Sequence, residues 1–169
     1  MENLFTTDCI RTYSGLYVNV FEPTIDMISI EDIAHALSHQ CRFGGHLPKF
    51  YSVAQHSCHC ESLIEDEYKL DALMHDASEA YLLDMPRPIK LRMNDYKEIE
   101  NGVMRLIAEK FQFEFPLNSR VKEVDDQVLK IEWDELMISD GGENTFKAHS
   151  PEHAKWLFLE TFNRLTKSK

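Results

Sequence analysis

Leu70, Leu73, Met74, Ala77, Ala80 and Tyr81 recur three and four residues apart near the middle of the chain. That spacing lines one stripe of an α-helix, and such a stripe must be buried against other elements. It predicts a helix from Lys69 to about Leu83, ended by Pro86 and Pro88. The same period recurs elsewhere. Ile30, Ile33, Ala34 and Leu37 follow Ser29, a suitable N-cap with Asp32 three residues on, and Gly44-Gly45 and Pro48 break that helix. Further helices are expected from Ser52 to about Asp66, about Tyr96 to Phe111, and Arg120 to about Met137. A last helix is capped by Ser150 with Pro151 at its first position. Asp140-Gly141-Gly142 reads as a loop. The N-terminal segment differs: Tyr13, Tyr17, Val18, Val20 and Phe21 flank Ser14-Gly15, which suits a tight hairpin ended by Pro23. The expectation is all-α, five or six helices with a small N-terminal β element, in one domain over residues 1–169.

Charge narrows the partners. The formal net charge is −11, which argues against duplex nucleic acid, a polyanion normally gripped by a basic face. A small anion is not excluded, because a bound metal or a few local cations can override the global charge. No apolar run approaches membrane-spanning length, and Met1–Ile10 lacks the basic start of a signal peptide. A cytoplasmic protein is expected, with Cys9, Cys41, Cys58 and Cys60 as reduced thiols. Cys58-His59-Cys60 could form half of a zinc site, but no second Cys/His pair follows at zinc-finger spacing.

The chemistry centres on His75-Asp76. Adjacent helical residues differ by about 100°, so both can touch one cation on the helix flank. Imidazole and carboxylate together suit zinc, cobalt, manganese or nickel. Glu79 follows one turn later on the same face. His56 on the preceding helix and Asp125 on the fifth would complete a set of two imidazoles and two carboxylates, leaving room for water and a phosphate oxygen. Asp126 stands in reserve for Asp125. Arg87 and Lys90 lie in Met85-Pro86-Arg87-Pro88-Ile89-Lys90, where two prolines would stiffen a loop and hold both cations near the metal. His46, Lys49 and Arg92 are weaker candidates for phosphate.

The order His56, then His75-Asp76, then Asp125 resembles the HD-domain phosphohydrolase superfamily. Arg42-Phe43-Gly44-Gly45-His46, Tyr51 to Ser57, His75 to Tyr81 and Ile30 to Leu37 are similar to a branch common in bacteriophages. That branch is related to the YfbR-type 5′-deoxynucleotidases and also resembles the DatZ-type dATP triphosphohydrolases of phages. The resemblance covers most of positions 12 to 135 and implies an HD-domain helical bundle. It implies His56, His75, Asp76 and Asp125 as ligands of a divalent metal (zinc, cobalt, manganese, magnesium or nickel). Arg42 would hold phosphate. Glu79 would orient or deprotonate water, or help hold a second cation. Asp84 would protonate the leaving oxygen or position the sugar hydroxyl. The implied substrate is a small deoxynucleotide, dATP first and a monophosphate as the alternative. The implied assembly is a homo-oligomer, dimer or hexamer, in the host cytoplasm if phage-encoded.

Two other classes compete. A catalytically idle nucleotide sensor would show a broken ligand set, and a purely helical interaction module would bind no metal. His35 with His39, and His149 with His153, share metal-compatible spacing but read as packing or surface residues. The aromatics of the last helix read as core, and the acidic run from Glu61 to Glu67 as a solvated helix end.

Overall fold

The structure, a computed structural model, describes residues 7–138 and 147–167. The Asp140-Gly141-Gly142 loop and the first six residues lie outside the described residues. The described chain is mostly helical, with one two-stranded sheet.

The sheet pairs Ile10–Arg11 (β1) antiparallel to Tyr17–Val18 (β2). Gly15 turns between them at φ 91°, a conformation glycine adopts without strain. The hairpin is fastened to the first helix, Ile30–His39 (α1). The Ser14 backbone N–H and hydroxyl both donate to the buried Asp32 carboxylate, at 2.6 and 2.7 Å. Ser29 caps α1 as expected, accepting from the Asp32 N–H. The Asp32 side chain serves the hairpin.

Ser52 caps Val53–Leu63 (α2), shorter than the stretch to Asp66 read from sequence. The chain between α1 and α2 is an excursion pinned at its base. Arg42 N–H donates to Tyr51 O at 2.9 Å, and Val53 N–H to Gln40 O at 3.1 Å.

The expected helix from Lys69 to about Leu83 is divided. Lys69–Met74 (α3) and Glu79–Leu82 (α4) flank a turn over residues 75–78. Bonds here run to the third residue back: Ala77 N–H to Met74 O, Glu79 N–H to Asp76 O, and Tyr81 N–H to Ser78 O, each 3.0 Å. One cause is local. His75 Nδ1 bonds Ala72 O at 2.7 Å and competes for a carbonyl of the α-helical ladder. The apolar period survives because the tighter turn still buries Ala77 and Tyr81.

Arg87–Lys90 (α5) is a single helical turn with Pro88 in its first turn, where sequence reasoning expected a loop. Asn94–Phe111 (α6) begins slightly before the expected position. Ser119–Glu132 (α7) continues into a π-helical turn, Trp133–Ile138. Ser150 caps Pro151–Thr166 (α8), accepting from His153 N–H at 3.3 Å.

α8 packs across α1, α2 and α3, burying Ala154, Phe158 and Phe162 against Ile33, Leu37, Val53, Leu73 and Ile107. A second apolar cluster joins α2 and α3 to α7 through Cys60, Ile64, Ala72, Val121, Val124 and Val128. The two clusters fix α2, α3 and α7 side by side.

Phe158 is fully buried in the larger cluster. Phe158→Ala should cost about 3–5 kcal/mol in chemical denaturation, the range for large core truncations. A loss below about 1 kcal/mol would contradict this packing.

Candidate metal centre and its cleft

His56 enters from α2, His75 and Asp76 from the turn after α3, and Asp125 from α7. Their donor atoms converge. His56 Nε2 lies 3.2 Å from Asp125 Oδ1 and 3.8 Å from Asp76 Oδ2. His75 Nε2 lies 3.2 Å from Asp76 Oδ2 and 3.8 Å from Asp125 Oδ1. Around one ion with bonds of about 2.0–2.2 Å, neighbouring donors stand roughly 3.0–3.6 Å apart. Two of the spacings fall in that range and two lie slightly beyond it.

Both imidazoles are pre-set to present Nε2. His56 Nδ1 lies 2.7 Å from the Glu132 carboxylate and His75 Nδ1 lies 2.7 Å from Ala72 O. Each partner accepts a proton from Nδ1, so the neutral ring would offer its Nε2 lone pair to a cation. Burial opposes a charge on either ring, but the nearby carboxylates raise both well above their ordinary value, so an ion would take the place of the Nε2 protons. His75 Nε2 is buried without a hydrogen-bond partner among the described residues. Burial without a partner is costly, and a metal would satisfy that atom. Cys60 Sγ also stands 3.5 Å from His56 Nε2. One donor atom each from His56, Cys60 and His75 lies within 4.8 Å of the others. The residues present therefore fit a divalent ion.

Asp125 and Asp126 separate cleanly. Asp125 points one oxygen at His56 and accepts from Lys122 with the other, at 2.7 Å. Asp126 pairs with Lys122 and Arg87 at 2.9 and 3.1 Å. Burial alone would raise the Asp76 and Asp125 carboxyls. The surrounding histidines, with Arg42 acting on Asp76, hold both well below the usual carboxylate range.

The floor opens into a cleft of about 1440 Å³. Arg42, His46, Glu79, Asp84, Arg87 and Lys90 all line it. Lys49 and Arg92 are not among its lining residues. Glu79 is nearly buried, and Lys90 Nζ lies 3.9 Å from its Oε1. Burial and the neighbouring Asp76 and Asp84 charges push the Glu79 carboxyl well above its ordinary value. Burial likewise raises Asp84, with Asp76 adding and Arg42 opposing. Lys90 is paired with Glu100 at 2.5 Å, and Arg87 with Asp126 at the exposed rim.

Three further residues organise the site. Fully buried Glu132 accepts from Arg42 Nη2 at 3.0 Å and Tyr51 OH at 2.8 Å, besides holding His56. It lies seven positions after Asp125, a spacing that marks a shared helix face. Gln40 spans the catalytic candidates: its Nε2 donates to Glu79 O at 2.8 Å and its Oε1 accepts from Asp84 N–H at 3.0 Å. Lys122 neutralises the outer oxygen of Asp125. Leu83 adopts φ 69°, which returns Asp84 to the cleft at a backbone cost of about 1–3 kcal/mol.

No family model matches the chain. The chain is 38% identical over 169 residues to the uncharacterized protein YfdR of Escherichia coli strain K12, covering 93% of this chain and 95% of that protein. It is 31% identical over 140 residues to the uncharacterized protein RCAP_rcc00048 of Rhodobacter capsulatus, covering 75% and 71%. The chain belongs to the family of YfdR. Neither relative's name states an activity, so the chemistry rests on the site.

Burial opposes the Glu132 charge, but His56, Arg42 and Tyr51 override it and hold the carboxyl at about 2, below 4.5. A depressed folded value stabilises the fold above the unfolded value and is lost on acidification. In chelator, the stability advantage of wild type over Glu132→Gln should be full above pH 4.5 and shrink as pH falls toward about 2. Its size at neutral pH should be on the order of 3 kcal/mol. A difference independent of pH across that window would contradict an ionised Glu132.

Proposed function

We propose that this protein is a divalent-metal-dependent phosphohydrolase of the HD type that hydrolyses a deoxynucleotide. A dNTP, dATP first, would yield deoxynucleoside and triphosphate. The observation that carries this reading is the convergence of His56, His75, Asp76 and Asp125 donors at the floor of a cleft edged with cations. Arg42, Arg87, Lys90, Lys97, Lys122 and Lys130 balance Asp76, Glu79, Asp84, Glu100, Asp125 and Asp126 around that cleft. A bound divalent cation makes the local balance positive in a chain of net charge −11, which favours an anionic substrate.

His56, His75, Asp76 and Asp125 would hold the ion, which supplies an acidified water and polarises the phosphorus centre. Arg42 keeps one guanidinium edge on Glu132 and offers the rest to phosphate. The raised carboxyl of Glu79 suits a general base working nearer neutral pH than an ordinary glutamate. In hydrolysis, the water oxygen bonds to the α-phosphorus and its proton passes to Glu79. The bond from phosphorus to O5′ breaks, and Asp84 supplies the proton that O5′ takes.

Hydrolysis of a deoxynucleoside monophosphate is the second reading. Its support is the pairing of Arg87 with Asp126 and of Lys90 with Glu100, which engages two cations that a longer phosphate tail would need.

Each dNTP and dNMP incubated singly with cobalt, manganese, magnesium or zinc, with products resolved by chromatography, separates these readings. Triphosphate with deoxynucleoside from one dNTP is the expected result. Phosphate from monophosphates alone selects the nucleotidase. Silence across the panel with metal bound overturns hydrolysis and favours a non-catalytic nucleotide sensor. Glu79→Gln should lower kcat by roughly 100-fold or more while metal stays bound, the scale of a lost general base.

A further inference from the structure

Cys60 belongs to no part of the mechanism above, yet it lies against its centre. It sits one turn beyond His56 on α2 and is fully buried. That spacing lets two side chains on one helix meet a single ion. Its Sγ is 3.5 Å from His56 Nε2. A sulfur and a nitrogen that are neighbouring ligands of one zinc ion at ordinary lengths stand about 3.1–3.6 Å apart. A second observation points to the same place. His75 is nearly buried, its Nε2 has no hydrogen-bond partner among the described residues, and a donor atom of His75 lies within 4.8 Å of Cys60. Asp76 and Asp125 line the cleft, whereas Cys60 sits in the apolar cluster between α2, α3 and α7.

We propose that Cys60 is a metal ligand, placing one thiolate behind the two histidines. This rests on the metal-centre reading and extends it to the class of ion. A buried sulfur donor favours zinc, cobalt or ferrous iron and disfavours magnesium and manganese, which prefer oxygen. The cleft-facing carboxylates then keep one side of the ion open to substrate, and the sulfur closes the other.

Cobalt(II) titrated into chelator-treated full-length protein provides the test, read by absorption and by equilibrium dialysis. Wild type should bind cobalt and show a near-ultraviolet sulfur-to-cobalt charge-transfer band. Cys60→Ser should lose the band and weaken cobalt roughly tenfold or more. Cys58→Ser should keep both. X-ray absorption of the zinc-loaded wild type should show one sulfur at about 2.3 Å, which needs no variant to fold. Cobalt bound without the band, and zinc without sulfur, would overturn the Cys60 assignment while leaving the His/Asp centre standing. No cobalt or zinc bound to wild type would overturn both.

Discussion

A carboxylate with no solvent exposure needs partners from several directions, because an unpaired buried charge costs several kcal/mol. Glu132 has them: Arg42 from the excursion after α1, Tyr51 from its far end, and His56 from α2. Its bond to His56 Nδ1 directs the Nε2 of that histidine at the centre, where the neutral imidazole would offer a lone pair to an ion. Its bond to Arg42 holds a guanidinium 3.8 Å from Asp76. One residue near the end of α7 thereby sets the tautomer of a candidate metal ligand and anchors a candidate phosphate ligand. The apolar cluster of Ala72, Val121, Val124 and Val128 keeps α7 close enough for this to happen.

The carboxylates of the cleft occupy contrasting environments. Asp76 and Asp125 face imidazoles and stay ionised, as cation ligands must. Glu79 and Asp84 face burial and like charge, so both carboxyls rise. Such divergence separates groups that hold charge from groups that trade protons. Gln40 fixes the backbone on either side of the short segment that carries Glu79 and Asp84. The strained Leu83 between them shows that their placement is maintained against a local conformational cost.

The apolar periods of α1, α6, α7 and α8 made the helical architecture legible, because each buries a stripe that the sequence displays. The sequence grouped His56, His75, Asp76 and Asp125, and the structure brings their imidazole and carboxylate donor atoms within 3.2–3.8 Å of one another across α2, the turn after α3, and α7. The break at residues 75–78 was not, since it arises from a side-chain bond to Ala72 O that leaves the apolar stripe intact. The helical turn of Arg87–Lys90 was hidden by Pro86 just before it and Pro88 within it, the latter at a first-turn position that tolerates proline. The sequence put Asp125 ahead of Asp126, and the structure turns Asp125 toward His56 and Asp126 toward Arg87. Glu132 and Gln40 act across long sequence separations. Only the seven-residue step from Asp125 could have pointed to Glu132.

That one divalent ion joins α2, the turn after α3, and α7 is the central claim. Thermal unfolding of chelator-treated protein, repeated with zinc, cobalt or manganese, tests it most directly, because an ion bound only by the folded state stabilises it by mass action. Tm should rise with metal concentration in wild type and in Asp126→Asn, and stay flat in His75→Ala and Asp125→Asn. A flat wild-type response, or an equal rise in His75→Ala and Asp125→Asn, would contradict it.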